Sequence, residues 1–233
     1  MIIHKLIAQH LSHKDDEDFY QMQARDAILW LKRKGVKMGT GVRALDLGCG
    51  HGIFGAELLK EGCDTTFSDE QNFLLPEIKE AKFRQFNIDR ENLGLVGEFD
   101  LVICSNVLEH LARPEPFLAS IQKVLTPTGR FYLSWTNWLS PWGGHEFSPF
   151  HYLGPKLGPN IFDTITRKKR LHTPYVNLFP TSIGTVIRTI HQNRNLQIEA
   201  MAPRYYPEFA WILRMPVLRE FLTWNSALLL KRA

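Results

Sequence analysis

A short apolar segment that runs into a glycine-rich turn constrains the fold of this chain most strongly. The sequence RALDLGCGHGIF, residues 43–54, begins with mostly apolar residues, which is typical of a strand covered on both faces. Gly48, Gly50 and Gly52 then allow positive φ and a close approach of a ligand to the backbone. The next apolar residues recur at helical spacing: Ile53, Phe54, Leu58 and Leu59. The pattern predicts a buried strand, a ligand-binding turn and a helix.

The glycine spacing distinguishes two classes of cofactor. A dinucleotide turn has the pattern G-x-G-x-x-G/A, in which a small third residue lets the helix pack closely on the strand. Here Ile53 occupies that position, and the spacing is G-x-G-x-G. This turn resembles motif I of the class I S-adenosylmethionine-dependent methyltransferases. The resemblance implies S-adenosyl-L-methionine as the cofactor, with the methionine and ribose parts against the turn residues Asp46, Gly48, Cys49 and Gly50.

Acidic residues at later strand ends extend the resemblance. DTTFSDE, residues 64–70, predicts a second strand that ends in Asp69 and Glu70. Asp69 lies 19 residues after Gly50, the distance at which a carboxylate in this kind of fold binds ribose hydroxyls. A third strand is predicted within residues 81–93, and Asp89 in its loop matches the family position that contacts adenine.

The segment EFDLVICSNVLEHL, residues 98–111, predicts a central strand that ends in polar residues. It resembles motif IV of the small-molecule branch of these enzymes, and Ser105 and Asn106 are expected to line the cofactor or the substrate. Enzymes that methylate nucleobase amines carry an (Asp/Asn/Ser)-Pro-Pro-aromatic element after this strand, whereas this chain has SNVL. Nucleic acid is therefore not an expected partner.

The alternation of strands and helices predicts a single α/β domain over residues 1–233. The resemblance implies a Rossmann-like seven-stranded sheet of order 3-2-1-4-5-7-6, with an antiparallel last strand and helices on both faces. We expect an N-terminal helical cap (1–40), a cofactor-binding half (41–137), a substrate lid inserted after strand 5 (138–179), and a C-terminal helix and strands (180–233). The cap helix is predicted near residues 15–34, with an apolar side made by Phe19, Met22, Ile28, Leu29 and Leu31. The fifth strand is predicted at Arg130–Thr136.

The segment NWLSPWGGHEFSPFHYLGP, residues 137–155, directly follows the fifth strand and is therefore expected at the ligand-binding edge of the sheet. Its aromatic residues, glycines and histidines suit a lid that excludes water and presents polar groups, or equally the core of a small subdomain. Together with PRYYPEFAW and LREFLTWNSALLL near the end, it resembles a bacterial type 11-like subgroup of class I methyltransferases whose acceptor is unassigned.

Methyl transfer to oxygen requires alignment, exclusion of water and a base. His110 matches a position that faces the transferred methyl group in related enzymes and is the first candidate base; a structural role is the alternative. His145 with Glu146 as its orienting carboxylate is the second. No metal is expected, because HEFSPFH lacks the H-E-x-x-H spacing that would bring His145, Glu146 and His151 to one ion.

Composition narrows the class of protein. The chain has a formal net charge of +4 over 233 residues, and its apolar runs fall short of the roughly 18–20 residues of a membrane span, so a cytoplasmic location is expected. The basic run at 167–170 is interpreted as a solvated surface.

The predicted activity is methyl transfer to an oxygen of a small-molecule, lipid or glycan acceptor. The alternatives are a non-catalytic cofactor-binding protein that contacts a partner or, peripherally, a membrane surface, and an NAD-dependent reductase.

Overall fold

The computed structural model describes residues 16–167 and 170–233. The first part of the described chain contains α1 (Asp16–Arg33), β1 (Arg43–Leu47), α2 (Ile53–Lys60), β2 (Asp64–Asp69), β3 (Phe83–Gln85), β4 (Phe99–Ser105), α3 (Pro114–Ser120) and β5 (Leu125–Thr136). The remainder contains α4 (Leu157–Thr166), α5 (Ile183–Asn193), β6 (Leu196–Pro203), α6 (Leu218–Leu222) and β7 (Asn225–Arg232). Short 3-10 turns connect several of these elements.

Within the described ranges the strands form one seven-stranded sheet of order β3-β2-β1-β4-β5-β7-β6. The pairs from β3 to β5 are parallel, and β7 is antiparallel to both of its neighbours. This order and the antiparallel last strand confirm the predicted Rossmann-like architecture. Because the parallel strands end at one edge, the turns after β1, β2, β4 and β5 lie near one another.

The two faces of the sheet carry separate apolar clusters. Along β4, Leu101 and Ile103 belong to one cluster, and Val102 and Cys104 belong to the other, as the two-residue repeat of a strand requires. The first cluster includes apolar residues of α1 and α2, and the second includes residues of α3 and α5. The central strand is buried on both faces, which explains its continuous apolar sequence.

Helix α1, Asp16–Arg33, has nearly the bounds predicted for the cap helix, residues 15–34. Its buried face differs from the prediction. Ala24, Ala27, Ile28 and Leu31 are buried, whereas Leu29 is 49% exposed, so placing Leu29 on the apolar side was wrong. A helix turns about 100° per residue, so Leu29 points away from the stripe that contains Ile28 and Leu31. Residues 1–15 of the predicted cap lie outside the described residues.

One strand begins at a different residue from the predicted one. β3, Phe83–Gln85, lies within the predicted segment 81–93, with Asp89 in the loop after it. β5 begins at Leu125 rather than at Arg130, because the pairing with β4 shifts between Phe99 and Leu101 and accommodates extra residues there.

The insertion, residues 138–179, has a small apolar core of its own. Phe147, Phe162 and Leu178 are buried together, and Trp138 and Phe150 pack against them. These aromatic residues therefore fill a subdomain core, one of the two roles considered for them. Backbone bonds from Trp138 to Thr181 and from Phe179 to Glu109 join the insertion to the sheet edge. No helix within the described residues is long and apolar enough to cross a membrane.

A glycine in α2 controls how closely that helix packs on β2. A Cβ atom at Gly55 would lie 2.2 Å from Cε1 of Phe67, so a side chain there forces a shift. Gly55 thus allows the close helix–strand packing that a dinucleotide turn obtains from a small residue at the position of Ile53, two residues earlier.

We expect Gly55→Ala to lower the free energy of unfolding by about 1–3 kcal/mol, since the added methyl group overpacks the contact with Phe67. Chemical denaturation measures the change. Gly94→Ala is the matched control, because a Cβ atom at Gly94 would have its nearest heavy atom at 3.5 Å, an ordinary van der Waals contact. We expect its free energy of unfolding to change by less than about 0.5 kcal/mol. Equal stability of the two variants would contradict this packing account.

Candidate active site

Two carboxylates hold the glycine turn between β1 and α2. Asp46 Oδ2 accepts the backbone N–H of Gly55 at 2.7 Å, and Asp69 Oδ2 accepts the backbone N–H of Gly50 at 2.8 Å. The Ser68 carbonyl accepts the N–H groups of Gly48 and Cys49 at 2.8 and 3.1 Å. These contacts fix the turn against the end of β2, so its shape does not depend on a ligand.

The turn leaves space on one side only. Gly48 and Gly50 have φ of +72° and +50°, where a side chain is strained. A Cβ atom at Gly48 would meet Val107 at 2.5 Å, whereas one at Gly50 would meet no heavy atom within 4 Å. The Gly50 side is therefore the open side, and its backbone can be approached closely by a ligand.

The acidic residues predicted to bind cofactor follow one another along the rim beside β2 and β3. Asp69 Oδ1 accepts the N–H of Glu70 at 2.7 Å, and Glu70 Oε1 accepts an N–H of the Asn87 side chain at 2.8 Å. The Asn87 amide oxygen in turn accepts the N–H of Asp89 at 3.0 Å, and Asp89 is exposed. Asp69, Glu70 and Asp89 are thus linked through Asn87 at one edge of the sheet.

Burial changes the acid–base properties of two turn residues. Asp46 is fully buried, and this raises the pKa of its carboxyl to about 7, against the opposing effect of the Gly55 N–H; nearby Asp69 raises it further. Burial likewise raises the pKa of the Cys49 thiol, with Asp46 and Asp69 adding to the effect. Cys49 is therefore a neutral thiol at physiological pH and is not activated as a nucleophile.

Ser105 and Asn106, at the end of β4, lie in a polar network with residues from distant segments. The Asn106 side chain donates to the Gln23 side chain at 3.3 Å and accepts from Asn225 at 2.9 Å. Arg204 donates through Nη1 to the Ser105 hydroxyl at 3.1 Å and to the Asn106 amide oxygen at 3.4 Å. The network joins α1, β4 and the end of β6 over the sheet edge.

Arg204 is a charged residue that the sequence analysis missed. Its side chain is 3% exposed and lies over the Phe54 ring at 5.0 Å. Its Nε and Nη2 atoms have no hydrogen-bond partner within residues 16–167 and 170–233. A buried guanidinium with unpaired donors is costly unless an anion completes it. The string PRYYP contained this arginine, but no spacing rule linked it to the glycine turn.

Three histidines meet where the insertion contacts the end of β4. The ring centroids of His110 and His145 are 5.6 Å apart, those of His110 and His172 are 5.4 Å apart, and those of His145 and His172 are 4.5 Å apart. Nδ1 of His110 lies 2.7 Å from the Asn177 carbonyl oxygen. Because a carbonyl only accepts, this Nδ1 carries the proton and Nε2 keeps its lone pair. We call His110, His145 and His172 the histidine cluster.

Glu146 orients a different histidine from the one predicted. Its carboxylate accepts the N–H of His172 Nδ1 at 2.6 Å and the backbone N–H groups of Leu171 and His172, both at 2.7 Å. Although burial acts in the opposite direction, these bonds hold the pKa of Glu146 at about 2. The paired residues are therefore Glu146 and His172, and no hydrogen bond joins Glu146 to His145 among the described residues.

His145 and His151 have different surroundings. Burial, together with the nearby His172 and His110, lowers the pKa of His145 to about 3, so His145 is neutral at physiological pH. His151 lies in the insertion, with Nε2 at 3.0 Å from the Ser140 carbonyl oxygen and its ring 5.5 Å from Trp138. His145 thus belongs to the histidine cluster, and Glu146 binds His172 of the same cluster. His151 instead packs inside the insertion.

We expect Asp46→Asn to gain stability relative to the wild type as pH rises from about 4 to 7. The folded carboxyl has a raised pKa of about 7, so the unfolded chain ionises first and wild-type stability falls across this window. The amide keeps an oxygen for the Gly55 N–H and does not ionise. Denaturation at each pH, without cofactor, should give a difference that grows by up to about 1.4 kcal/mol per pH unit. A difference independent of pH would contradict the prediction.

Comparisons with known sequences identify the relatives of this chain. Residues 45–131 match a family described as a methyltransferase domain. An uncharacterized methyltransferase from Mycobacteroides abscessus is 31% identical over 244 residues, which cover 97% of this chain and 92% of that protein. Another from Mycobacterium leprae is 31% identical over 227 residues, covering 91% of this chain and 82% of the relative.

Solved structures share the fold. An S-adenosylmethionine-dependent methyltransferase from Clostridium acetobutylicum has a TM-score of 0.62 at 11% identity and covers 99% of this chain and 97% of its own. A magnesium protoporphyrin IX methyltransferase from Synechocystis with bound SAH has a TM-score of 0.55 at 16% identity, covering 92% and 84%. The near-full-length relatives are methyltransferases, and the sheet order and the glycine turn match the class that the sequence analysis expected. None of these observations supports the NAD-dependent alternative. The chain belongs to the class I S-adenosylmethionine-dependent methyltransferases.

Proposed function

We propose that this enzyme transfers a methyl group to an oxygen of a small-molecule, lipid or glycan acceptor whose reacting hydroxyl lies at the histidine cluster. The observation that carries the proposal is the meeting of His110, His145 and His172 just after β4, the strand whose end carries Ser105 and Asn106. Imidazole is the side chain that exchanges a proton near neutral pH. A hydroxyl acceptor needs such a group, whereas a thiolate or an amine needs it less.

The geometry of the glycine turn supports an assignment of the cofactor residues. S-adenosyl-L-methionine, when bound, supplies a methyl group on a positively charged sulfur. We assign the ribose hydroxyls to Asp69 and Glu70, the adenine edge to Asp89, and the backbone approach to Gly48, Cys49 and Gly50. The open space beside Gly50 and the fixed Asp69 carboxylate support this assignment. Asp46 acts through the Gly55 N–H, as the residue that positions the turn.

The methionine end needs a partner for its carboxylate. Arg204 suits this role because two of its donor atoms are buried without a partner among the described residues, beside Phe54 at the start of α2. Ser105 and Asn106 hold Nη1 of the same guanidinium. We therefore assign Ser105 and Asn106 to the methionine side of the site, where they fix Arg204 and line the boundary with the acceptor.

His110 is the base that the geometry favours. The Asn177 carbonyl fixes its tautomer with the lone pair on Nε2, which is the atom that can take a hydroxyl proton. His172, held by Glu146, stacks on His110 and can stabilise the proton once it is taken. His145 is buried and neutral and contributes a further polar contact. The insertion carries His145, Glu146 and His172, and it excludes water from the reacting groups.

Among the acceptor classes, one surface feature favours a lipid. The segment 207–222 exposes several large apolar side chains, including Trp211 at 54% and Val217 at 69%, together with Phe209, Met215, Leu218, Phe221 and Leu222. This segment begins three residues after Arg204 and precedes β7. An apolar surface close in sequence to Arg204 suits an acceptor with an apolar part or one presented at a membrane surface.

We expect Asp69→Ala to weaken S-adenosylmethionine binding by roughly 10- to 150-fold, because hydrogen bonds to a charged group contribute about 1.5–3 kcal/mol. Titration calorimetry measures the dissociation constant. Asp64→Ala is the matched control, since Asp64 lies on the same strand at the opposite end and is exposed. An unchanged dissociation constant for Asp69→Ala would remove Asp69 from the cofactor site.

The acceptor class is tested by incubating the enzyme with methyl-labelled S-adenosylmethionine and a cell extract, followed by solvent partition and identification of the labelled product. The proposal predicts a methyl ether, and the apolar surface predicts label in the organic phase. Label on nitrogen or sulfur would contradict the oxygen assignment.

Once the acceptor is identified, we expect His110→Ala to slow turnover by about 100-fold or more, because this is the usual effect of losing a general base. The affinity for the cofactor should stay within about twofold of the wild-type value. Single-turnover kinetics and calorimetry separate the two quantities. His191→Ala, an exposed histidine on α5, is the control and should change neither. Wild-type turnover in His110→Ala would mean that His110 is not the base.

A further inference from the structure

Three side chains with metal-binding atoms meet at the end of β4. Glu109, His110 and His145 each offer one ligand atom, and these atoms all lie within 4.8 Å of one another. Glu109 and His110 belong to the 3-10 turn Leu108–His110, and His145 begins the turn His145–Phe147 of the insertion. The convergence joins residues 35 positions apart, which is why no spacing motif in the sequence indicated it.

Glu109 is a buried carboxylate without a counter-charge. Its side chain is 1% exposed, and Oε1 accepts the backbone N–H of Thr136 at 2.9 Å. Oε2 is buried without a hydrogen-bond partner, and no ion pair includes Glu109 in the described part of the chain. A buried carboxylate in this state costs several kcal/mol unless a cation or a donor completes it.

The two imidazoles each bring a ring nitrogen into this group. His110 donates through Nδ1 to the Asn177 carbonyl, so Nε2 is the unprotonated nitrogen. Nε2 of His145 is buried without a partner among residues 16–167 and 170–233, as is Oε2 of Glu109. A carboxylate oxygen and two imidazole nitrogens are donors that a divalent transition-metal ion accepts as ligands.

The surroundings also match those of metal ligands. A ligating histidine usually donates its other ring N–H to a carbonyl or carboxylate, and a ligating carboxylate usually accepts a second hydrogen bond. His110 has the Asn177 carbonyl in that role, and Glu109 has the Thr136 N–H. These contacts hold two of the three side chains in place before any ion binds.

We propose that Glu109, His110 and His145 form a binding site for a Zn²⁺-type divalent ion. Two imidazoles and one carboxylate with a free position constitute the usual ligand set of such an ion when it is catalytic. Bonds of about 2.0–2.2 Å to a tetrahedral ion would separate the ligand atoms by roughly 3.3 Å. Small side-chain rotations therefore suffice to close the site from the present arrangement, in which no separation exceeds 4.8 Å.

The role of the ion rests on the proposed function and refines it. The site lies where the proposal puts the acceptor hydroxyl, and a hydroxyl bound at the free position has a lowered pKa. His110 would then act as a ligand that activates the acceptor through the ion. His172, paired with Glu146, is the remaining imidazole that can receive the hydroxyl proton.

Metal binding is tested directly on the purified chain, without cofactor or acceptor. The protein is dialysed against a chelator and titrated with Co²⁺, whose visible absorption bands report ligand geometry, and the bands are then displaced with Zn²⁺. We expect one ion per chain. His110→Ala, His145→Ala and Glu109→Gln should each lower the Co²⁺ affinity by at least about 10-fold. The control His191→Ala, which replaces an exposed histidine on α5, should leave the affinity unchanged.

Circular dichroism and S-adenosylmethionine calorimetry on the same variants show whether they fold. If Glu109→Gln does not fold, the two histidine variants still decide the question. Absence of Co²⁺ bands in the wild type, or bands that persist in His110→Ala and His145→Ala, would overturn the site. Because this readout needs no methyl transfer, its failure leaves the proposed function standing, with His110 as the base.

Discussion

The attachment of the glycine turn to the ends of two neighbouring strands is the constraint on which the rest of the site depends. Asp46, on β1, accepts the N–H of Gly55, and Asp69, on β2, accepts the N–H of Gly50. Because β1 and β2 are paired in parallel register, the two carboxylates fix the body of the turn and the start of α2 together. The proposed cofactor edge is thus built into the backbone, with its open side at Gly50.

The insertion completes the second half of the site. Its small apolar core positions the turn that carries His145 and Glu146, and its later part supplies His172 and Asn177. The Phe179 N–H donates to the Glu109 carbonyl at 2.7 Å, which connects the insertion to the turn after β4. Apolar packing inside the insertion therefore determines the positions of polar groups at its boundary with the sheet.

The sequence could predict the fold, and the strand ends that carry the candidate cofactor residues, because the relevant residues are neighbours along the chain. The glycine turn, the β2 aspartate and the end of β4 each lie in one short segment with a recognisable pattern. The start of β5 could not be predicted, since a register shift in its pairing with β4 decides it. Leu29 was misplaced because a single helical residue next to a buried stripe depends on the angle at which α1 lies.

The proposed acceptor half could not be predicted, because its residues lie far apart along the chain. Adjacent His145 and Glu146 suggested a pair, but the fold brings His172 to Glu146 from 26 residues away. Arg204 reaches Ser105 across 99 residues, and Glu109 approaches His145 only once the insertion is folded. Tertiary contacts of this kind leave no periodicity or spacing in the sequence.

A crystal structure of the protein with S-adenosylhomocysteine tests the central claim most directly. The account predicts ribose hydroxyls within hydrogen-bond distance of the Asp69 carboxylate, the backbone of Gly50 against the nucleoside, and the Gly50–Asp69 bond preserved. A nucleoside bound elsewhere, or a turn that must rearrange and release Asp69 to admit it, would contradict the account.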